Sequence, residues 1–248
     1  NTVTTGKNVI TFITVPSGSI FNGAATGVFN INSGKTKLFA RDNIGASDKK
    51  LESMVGALEG KTTTGGLWIH NQGALIIGQV TDNPVGISSE GDVVVTASSP
   101  ITFASDTNVT GTQTYTAGDS AGSGDDITIE PGVSITGSGS LVLNAGDNLV
   151  VEAGAAILVE GDLILRADYN LSGIDPDPGL GGVVTLHGTI IPGVVEDENG
   201  LYSTNGVNWV YIQTYADNDV IHLYTPIFGF ITTGAGDDEI KFYNWAHL

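Results

Sequence analysis

DDITIEPGVSITGSGSLVLNAG (residues 125–146) is followed directly by DNLVVEAGAAILVEGDLILRAD (residues 147–168), and the second segment repeats the first at an offset of about 22 residues. Each segment holds short runs of alternating apolar and polar residues, separated by Gly, Asn, Asp, Ser or Pro. This pattern is typical of short strands joined by tight turns. The matched positions are Ile127 with Leu149, Ile129 with Val151, Gly132 with Gly154, Ile135 with Ile157, and Leu143 with Leu165.

A period of this length with three short strands in each period predicts a coil of a parallel β-helix. We predict an all-β fold: a right-handed, three-sided parallel β-helix, or β-solenoid, of about ten coils that stack about 4.8 Å apart. Alternate side chains should stack inside the coil, and the others should face water. The expected inward residues include Ile127, Ile129, Leu149 and Val151, and the expected outward residues include Thr128 and Glu130.

The repeat pattern divides the chain into two parts. Residues 1–206 are predicted to form the β-helix with insertions at its corners. Residues 207–248 are predicted to be C-terminal coils that continue the solenoid but differ from it in being rich in aromatic residues and in having a shorter period. In that part DVI (residues 219–221) matches DEI (residues 238–240) at an offset of 19 residues.

One stretch, DKKLESMVGAL (residues 48–58), has the apolar spacing of a helix. Asp48 can cap its first turn, and Gly60 lies where a helix would end. We therefore predict one short helical excursion that packs its apolar stripe onto the side of the β-helix; a partner-binding helix is the alternative. The stripe consists of Leu51, Met54, Val55 and Leu58.

Charge limits the classes of partner. The formal net charge is −18, with 27 acidic and 9 basic residues, so a phosphate backbone or an anionic membrane surface is an unfavourable ligand. Divalent cations are more plausible ligands, since an acidic surface concentrates them. An acidic surface that keeps a β-protein apart from its neighbours explains the composition equally well.

Targeting signals give little further information. The chain has no cysteine, so disulfides and thiolate sites are excluded. No apolar run approaches the roughly 20 residues of a transmembrane helix, so no membrane insertion is expected. The chain begins at Asn1 without Met or a signal-peptide pattern, which indicates a processed form or part of a longer protein. Because no cap is evident at Asn1, we expect end-to-end self-association or continuation into further repeats of the same chain.

Two stretches resemble known families. IGASDKKLESMVGALEGKTTTGGLWIHNQGALIIG (residues 44–78) resembles a recurring unit of large secreted bacterial proteins related to filamentous haemagglutinins: an Ile-Gly turn, a short Leu-rich helix, Gly-Gly, and two strands with an Asn-x-Gly corner. TTGAGDDEI (residues 232–240) resembles the RTX nonapeptide GGxGxDxUx, with Thr233 in place of the first Gly. These resemblances imply a bacterial extracellular or cell-surface solenoid of the adhesin or fibre type, without enzymatic activity.

The RTX-like stretch predicts a calcium site. In the RTX family, turn carbonyls and Asp carboxylates bind Ca²⁺, which prefers hard oxygen ligands. Residues 217–219, one offset earlier, could supply the facing half of the site; a solvated acidic turn is the alternative. The candidate metal ligands are Gly234, Gly236, Asp237, Asp238, Asp217 and Asp219.

Catalysis and glycan binding are the remaining possibilities. Parallel β-helix enzymes that cleave acidic polysaccharides need clustered carboxylates or bound Ca²⁺ with a basic residue, whereas this chain has few basic residues and four scattered histidines. We therefore predict no enzyme activity, and keep a polysaccharide-binding or polysaccharide-cleaving protein as the alternative. Late aromatic residues could stack on surface glycans, or could cap the end of the solenoid or join it to a neighbour. They are Trp209, Tyr211, Tyr215, Tyr224, Tyr243 and Trp245.

Overall fold

The computed structural model describes residues 2–6, 9–25, 28–170, 181–192, 209–215 and 217–243, and the backbone alone of residues 194–196 and 202–204. These residues form strands and connecting turns, and none of them lies in a helix. This part of the chain accordingly contains no helix that could cross a membrane.

The strands are short and follow one another closely along the chain. Those that begin before residue 100 are β1 (Val3–Thr4), β2 (Ile10–Val15), β3 (Ile31–Ala40), β4 (Leu51–Thr62), β5 (Leu67–Asn71), β6 (Leu75–Ile77), β7 (Ile87–Ser89) and β8 (Val93–Ala97). The next are β9 (Ile101–Phe103), β10 (Thr107–Val109), β11 (Gln113–Ala117), β12 (Ile127–Ile129), β13 (Ser134–Gly137), β14 (Leu141–Asn144), β15 (Leu149–Val151), β16 (Ala156–Val159) and β17 (Leu163–Arg166). The last are β18 (Val183–Leu186), β19 (Thr189–Pro192), β20 (Val194–Glu196), β21 (Tyr202–Thr204), β22 (Val210–Gln213), β23 (Val220–Leu223), β24 (Gly229–Thr232) and β25 (Glu239–Phe242).

All strands except the antiparallel hairpin β20–β21 belong to one long parallel sheet. Within it the strands pair in three series. Series A is β5–β8–β11–β14–β17–β22–β24. Series B is β6–β9–β12–β15–β18–β23–β25, and series C is β7–β10–β13–β16–β19. This is a solenoid-like, all-β architecture in which each strand stacks on its equivalent in the preceding repeat.

The first strands join the three series together. The long strand β4 pairs in turn with β5, β6 and β7, so it begins all three series. On its other edge β4 pairs with β3, which in turn carries β1 and β2. The parallel sheet therefore extends from the N-terminal strands to β24 and β25.

The register confirms the 22-residue repeat. Ile127 pairs with Leu149, Ile135 with Ile157 and Leu143 with Leu165. The four residues predicted to point inward are 0 % exposed, whereas Thr128 and Glu130 are partly exposed, as predicted. The alternating pattern thus determines which side chains form the core.

One inward position of series B forms an aliphatic column through the molecule. Burial of each such side chain stabilises the fold by about 1.5–3 kcal/mol. Its last member, Ile240, is 39 % exposed, because no described strand pairs with β25 on its far side. The column consists of Leu75, Ile101, Ile127, Leu149, Val184, Ile221 and Ile240.

The predicted helix over residues 48–58 is wrong, because most of this stretch lies in strand β4. Leu51, Ser53 and Val55 are buried, and the residues between them are partly exposed, which is the period of a strand. The small Ser53 side chain fits inside, where its hydroxyl donates to Asn71 Oδ1 at 2.9 Å. An isolated helix of this length is marginal, whereas β4 gains backbone partners on both edges.

We expect Leu149→Ala to lower the free energy of unfolding by about 2–5 kcal/mol, because it opens a cavity in the middle of the column. The neighbouring change Val150→Ala is the matched control, since Val150 is partly exposed on the outward face; it should cost about 1 kcal/mol or less. Urea denaturation of both variants measures the difference. Equal losses would contradict the assignment of inward and outward faces.

Candidate functional site

Aspartates recur at one corner of the repeat, immediately before series B. Asp125, Asp147, Asp219 and Asp238 each lie two residues before an inward aliphatic residue of β12, β15, β23 and β25. The equivalent position before β18 is Gly182. Strand register therefore brings these residues together as a ladder, which we call the aspartate corner.

In the aspartate corner, carboxylates accept hydrogen bonds from the backbone of the preceding repeat. The backbone N–H of Asp125 donates to Asp147 Oδ2 at 2.6 Å. Gly182 N–H donates to Asp219 Oδ1 at 2.6 Å, and Asp219 N–H donates to Asp238 Oδ1 at 3.1 Å. These bonds satisfy backbone donors at the turns where strand pairing has not yet begun.

Two of these carboxylates are buried, and each has an oxygen atom without a hydrogen-bond partner among the described residues. Asp125 and Asp219 are 4 % and 1 % exposed, and Oδ2 of each has no hydrogen-bond partner among the described residues. Burial raises the pKa of Asp125, the charge of Asp147 adds to this effect, and hydrogen bonds from Ser120 oppose it. Burial likewise raises the pKa of Asp219, against hydrogen bonds from Thr214 and Gly182. An unsatisfied buried carboxylate destabilises the folded state when it is ionised.

The remaining predicted ligands lie at the same corner. Gly234 and Gly236 both have positive φ, and a Cβ at either position would lie within 2 Å of a backbone carbonyl oxygen, of Tyr215 and Asp217 respectively. Only glycine fits this close approach of two turns. Asp237 is exposed, and its backbone N–H donates to Asn218 Oδ1 at 2.8 Å.

A Ca²⁺ ion in a protein takes six to eight oxygen ligands. Among the described residues, no three His, Cys, Asp or Glu side chains converge as a metal-binding group. Asp219 Oδ2 is a buried carboxylate oxygen available to a cation, while Asp219 Oδ1 and Asp238 Oδ1 accept backbone N–H groups. The corner therefore supplies part of a calcium donor set.

The late aromatic residues stack on one another along the solenoid. The rings of Tyr224 and Tyr243 are parallel, with centroids 4.2 Å apart, and Trp209 stacks on Phe228 at 4.8 Å. Their spacing follows the pairing of neighbouring strands. Tyr211 stacks on Phe230 and Tyr215 contacts Tyr169, whereas Trp245 lies outside the described residues.

A second polar group, which the sequence did not predict, lies at the N-terminal end of series A. Glu52 on β4, His70 on β5 and Thr96 on β8 are register neighbours on the outward face. Glu52 Oε2 lies 2.7 Å from His70 Nδ1, and Lys50 Nζ donates to Thr96 Oγ1 at 2.7 Å. Lys50, Glu52 and His70 border a cleft of about 500 Å³. The prediction of a helix over residues 48–58 does not place Glu52 beside His70, whereas strand pairing of β4 with β5 does.

No family model, curated protein or solved structure matches this chain.

Asp125→Asn should stabilise the protein at neutral pH by about 1 kcal/mol, because it replaces a buried unsatisfied carboxylate by a neutral group of the same shape. Since the folded-state pKa of Asp125 is raised, its ionisation destabilises the fold as pH rises through that pKa. The gain should therefore disappear below the unfolded-state pKa of about 3.9. Urea denaturation at neutral and acidic pH measures both effects.

Asp82→Asn is the control for this prediction, because Asp82 is an exposed aspartate outside the corner. It should leave stability nearly unchanged at both pH values. Destabilisation by Asp125→Asn at neutral pH would contradict the prediction.

Proposed function

We propose that this chain is a structural segment of an extracellular bacterial β-solenoid, part of a surface adhesin or fibre, that associates end to end. In this proposal the parallel sheet winds as a right-handed, three-sided β-helix of about ten coils. Support comes from strand pairing, since ten strands follow one another without a break. They are β1, β3, β4, β5, β8, β11, β14, β17, β22 and β24.

The main support for this proposal comes from the strands at the two ends of the parallel sheet. Among the described residues, β1 and β2 pair only with β3, and β24 and β25 pair only with β22 and β23. Unpaired parallel strands are templates for a further strand. Exposed apolar side chains lie at both edges: Ile10 and Phe12 on β2, and Phe230, Ile240 and Phe242 on β24 and β25.

Charge makes the two ends complementary. Residues 1–61 contain seven of the nine Lys and Arg but only four of the 27 Asp and Glu, so this part carries a formal charge of +3. At the other end, residues 209–243 contain five Asp or Glu and one Lys, so they carry a formal charge of −4. Opposite charges favour contact between the N-terminal edge of one copy and the C-terminal edge of the next, and disfavour contact between two C-terminal edges.

We expect the 248-residue chain to form linear assemblies whose sedimentation depends on concentration and which weaken as salt is raised. Ile240→Lys should abolish assembly, because it places an ammonium group at the open end of the aliphatic column. Thr128→Lys adds the same charge to an outward position in the middle of the molecule and should leave assembly intact. Analytical ultracentrifugation and electron microscopy measure the outcome.

Discrete monomers of the unmodified chain at all concentrations would count against the proposed association. An equal loss of assembly in both lysine variants would also contradict it, because the effect would then come from net charge alone. Thermal unfolding of each variant checks that the monomer remains folded.

Calcium binding at the aspartate corner is part of this proposal. Its support is Asp219 Oδ2, which is buried and has no hydrogen-bond partner among the described residues, while the Asp238 carboxylate accepts from the backbone N–H of the same residue. Bound Ca²⁺ would offset the buried negative charge and stabilise the last coils.

If Ca²⁺ binds there, calcium should raise the unfolding temperature relative to chelator, since a ligand of the folded state stabilises it by mass action. Asp219→Asn should remove this difference, whereas Asp82→Asn should retain it. No calcium-dependent shift in the unmodified chain would exclude the site. Differential scanning calorimetry with and without chelator makes the comparison.

A further inference from the structure

The cleft beside Lys50, Glu52 and His70 has the size and chemistry of a small-ligand site. Its volume of about 500 Å³ lies within the range of about 300–1,000 Å³ that is usual for such sites. Ala24 and Ala25 line one side, and the turn at Ser47, Asp48 and Lys49 lines the other. The turn is held by reciprocal backbone hydrogen bonds between Ala46 and Lys49 at 3.1 Å.

The floor of the cleft presents donors and acceptors side by side. The Lys50 ammonium has three N–H groups, one of which is used by Thr96 Oγ1. Glu52 uses Oε2 for His70, and no described residue donates to its Oε1. Burial lowers the pKa of Lys50, and the neighbouring Glu52 charge opposes this effect. An ammonium and a carboxylate on one strand can therefore each bind a further polar group.

Trp68 lies next to this floor on the same outward face of series A. Its register partner on β8 is Val94, so both are two residues from the Glu52–His70–Thr96 row. The indole extends back over Gly66: its Cη2 atom lies 2.4 Å from the position that a Cβ at residue 66 would occupy. The ring therefore extends toward Gly66, on the side of Trp68 away from His70, and lies outside the residues that line the cleft. It offers an apolar surface to a part of a ligand that projects from the cleft.

The charges favour a neutral ligand. Asp48 and Glu52 balance Lys49 and Lys50 within the cleft lining, so the site has no excess of either sign. A polyanion would find no excess of positive charge in this lining. A sugar hydroxyl can accept a hydrogen bond from an ammonium and donate one to a carboxylate, and the C–H face of a sugar ring packs on an indole.

We propose that the cleft bordered by Lys50, Glu52 and His70, together with the Trp68 ring outside it, binds a neutral saccharide. This site lies on the outward face of series A, away from the aspartate corner, and it does not depend on end-to-end association. Lys50 donates to ring hydroxyls, Glu52 accepts from them, and Trp68 supports the neighbouring sugar ring. His70 holds the Glu52 carboxylate in place.

The test is isothermal titration calorimetry of the full chain with cellohexaose, maltohexaose, chitohexaose and mannohexaose as neutral probes, and with hexagalacturonate as an anionic probe. We expect at least one neutral probe to bind and hexagalacturonate not to bind. Glu52→Gln should weaken binding by about tenfold, because it removes a hydrogen bond to a charged acceptor. Trp68→Ala should weaken binding by a similar factor, because it removes the aromatic surface.

Glu130→Gln is the matched control, since it neutralises a partly exposed carboxylate on another side of the repeat, and it should leave affinity unchanged. Glu52→Gln retains the shape of the side chain, and unfolding temperatures check that both variants are folded. The proposal is overturned if no neutral probe binds, if only hexagalacturonate binds, or if both cleft variants bind as tightly as the unmodified chain.

Discussion

The fold depends on the register of parallel strand pairing, because it determines which residues stack inside the molecule. A slip of one residue would turn every inward aliphatic side chain of a strand to the outside. The number of residues between equivalent strands can nevertheless vary. Along the series B column the offset is 22 residues from Ile127 to Leu149, 35 to Val184, 37 to Ile221 and 19 to Ile240. The column thus continues past insertions of different lengths.

The same constraint places chemistry at the corners and on the outward faces. Glu59 shows how an inward carboxylate can be accommodated: it is 1 % exposed, pairs with Lys37 at 2.7 Å and accepts from Thr81. Burial alone would raise the pKa of Glu59, but these partners together lower it. No Lys or Arg among the described residues pairs with Asp125 or Asp219, and burial raises the pKa of both. The aspartate corner is therefore the part of the core that a bound cation or protonation would stabilise most.

Sequence reasoning predicted the repeat well where alternation and spacing agree, as at Ile127 and Leu149. It failed at β4, because Leu51 and Val55 fit both a helical and a strand period, and the choice depended on pairing partners far away in sequence. The 19-residue offset at Asp219 and Asp238 was also predictable. The hydrogen bonds between particular carboxylate oxygens and backbone N–H groups were not predictable, because they depend on the path of each turn. The cleft at Glu52 and His70 was not predicted, because it depends on the pairing of β4 with β5.

The proposed association follows from the same register argument. A parallel ladder can accept a further strand at either end. Among the described residues, the terminal strands have no pairing partner on their far sides, and the end of the column is exposed there, as at Ile240. The two edges have different side chains and opposite charge, so contact between them is heterologous and not two-fold. Contact between unlike ends repeats in one direction and produces a filament. A saccharide site on an outward face would then recur along that filament, and weak single contacts would gain from multivalency.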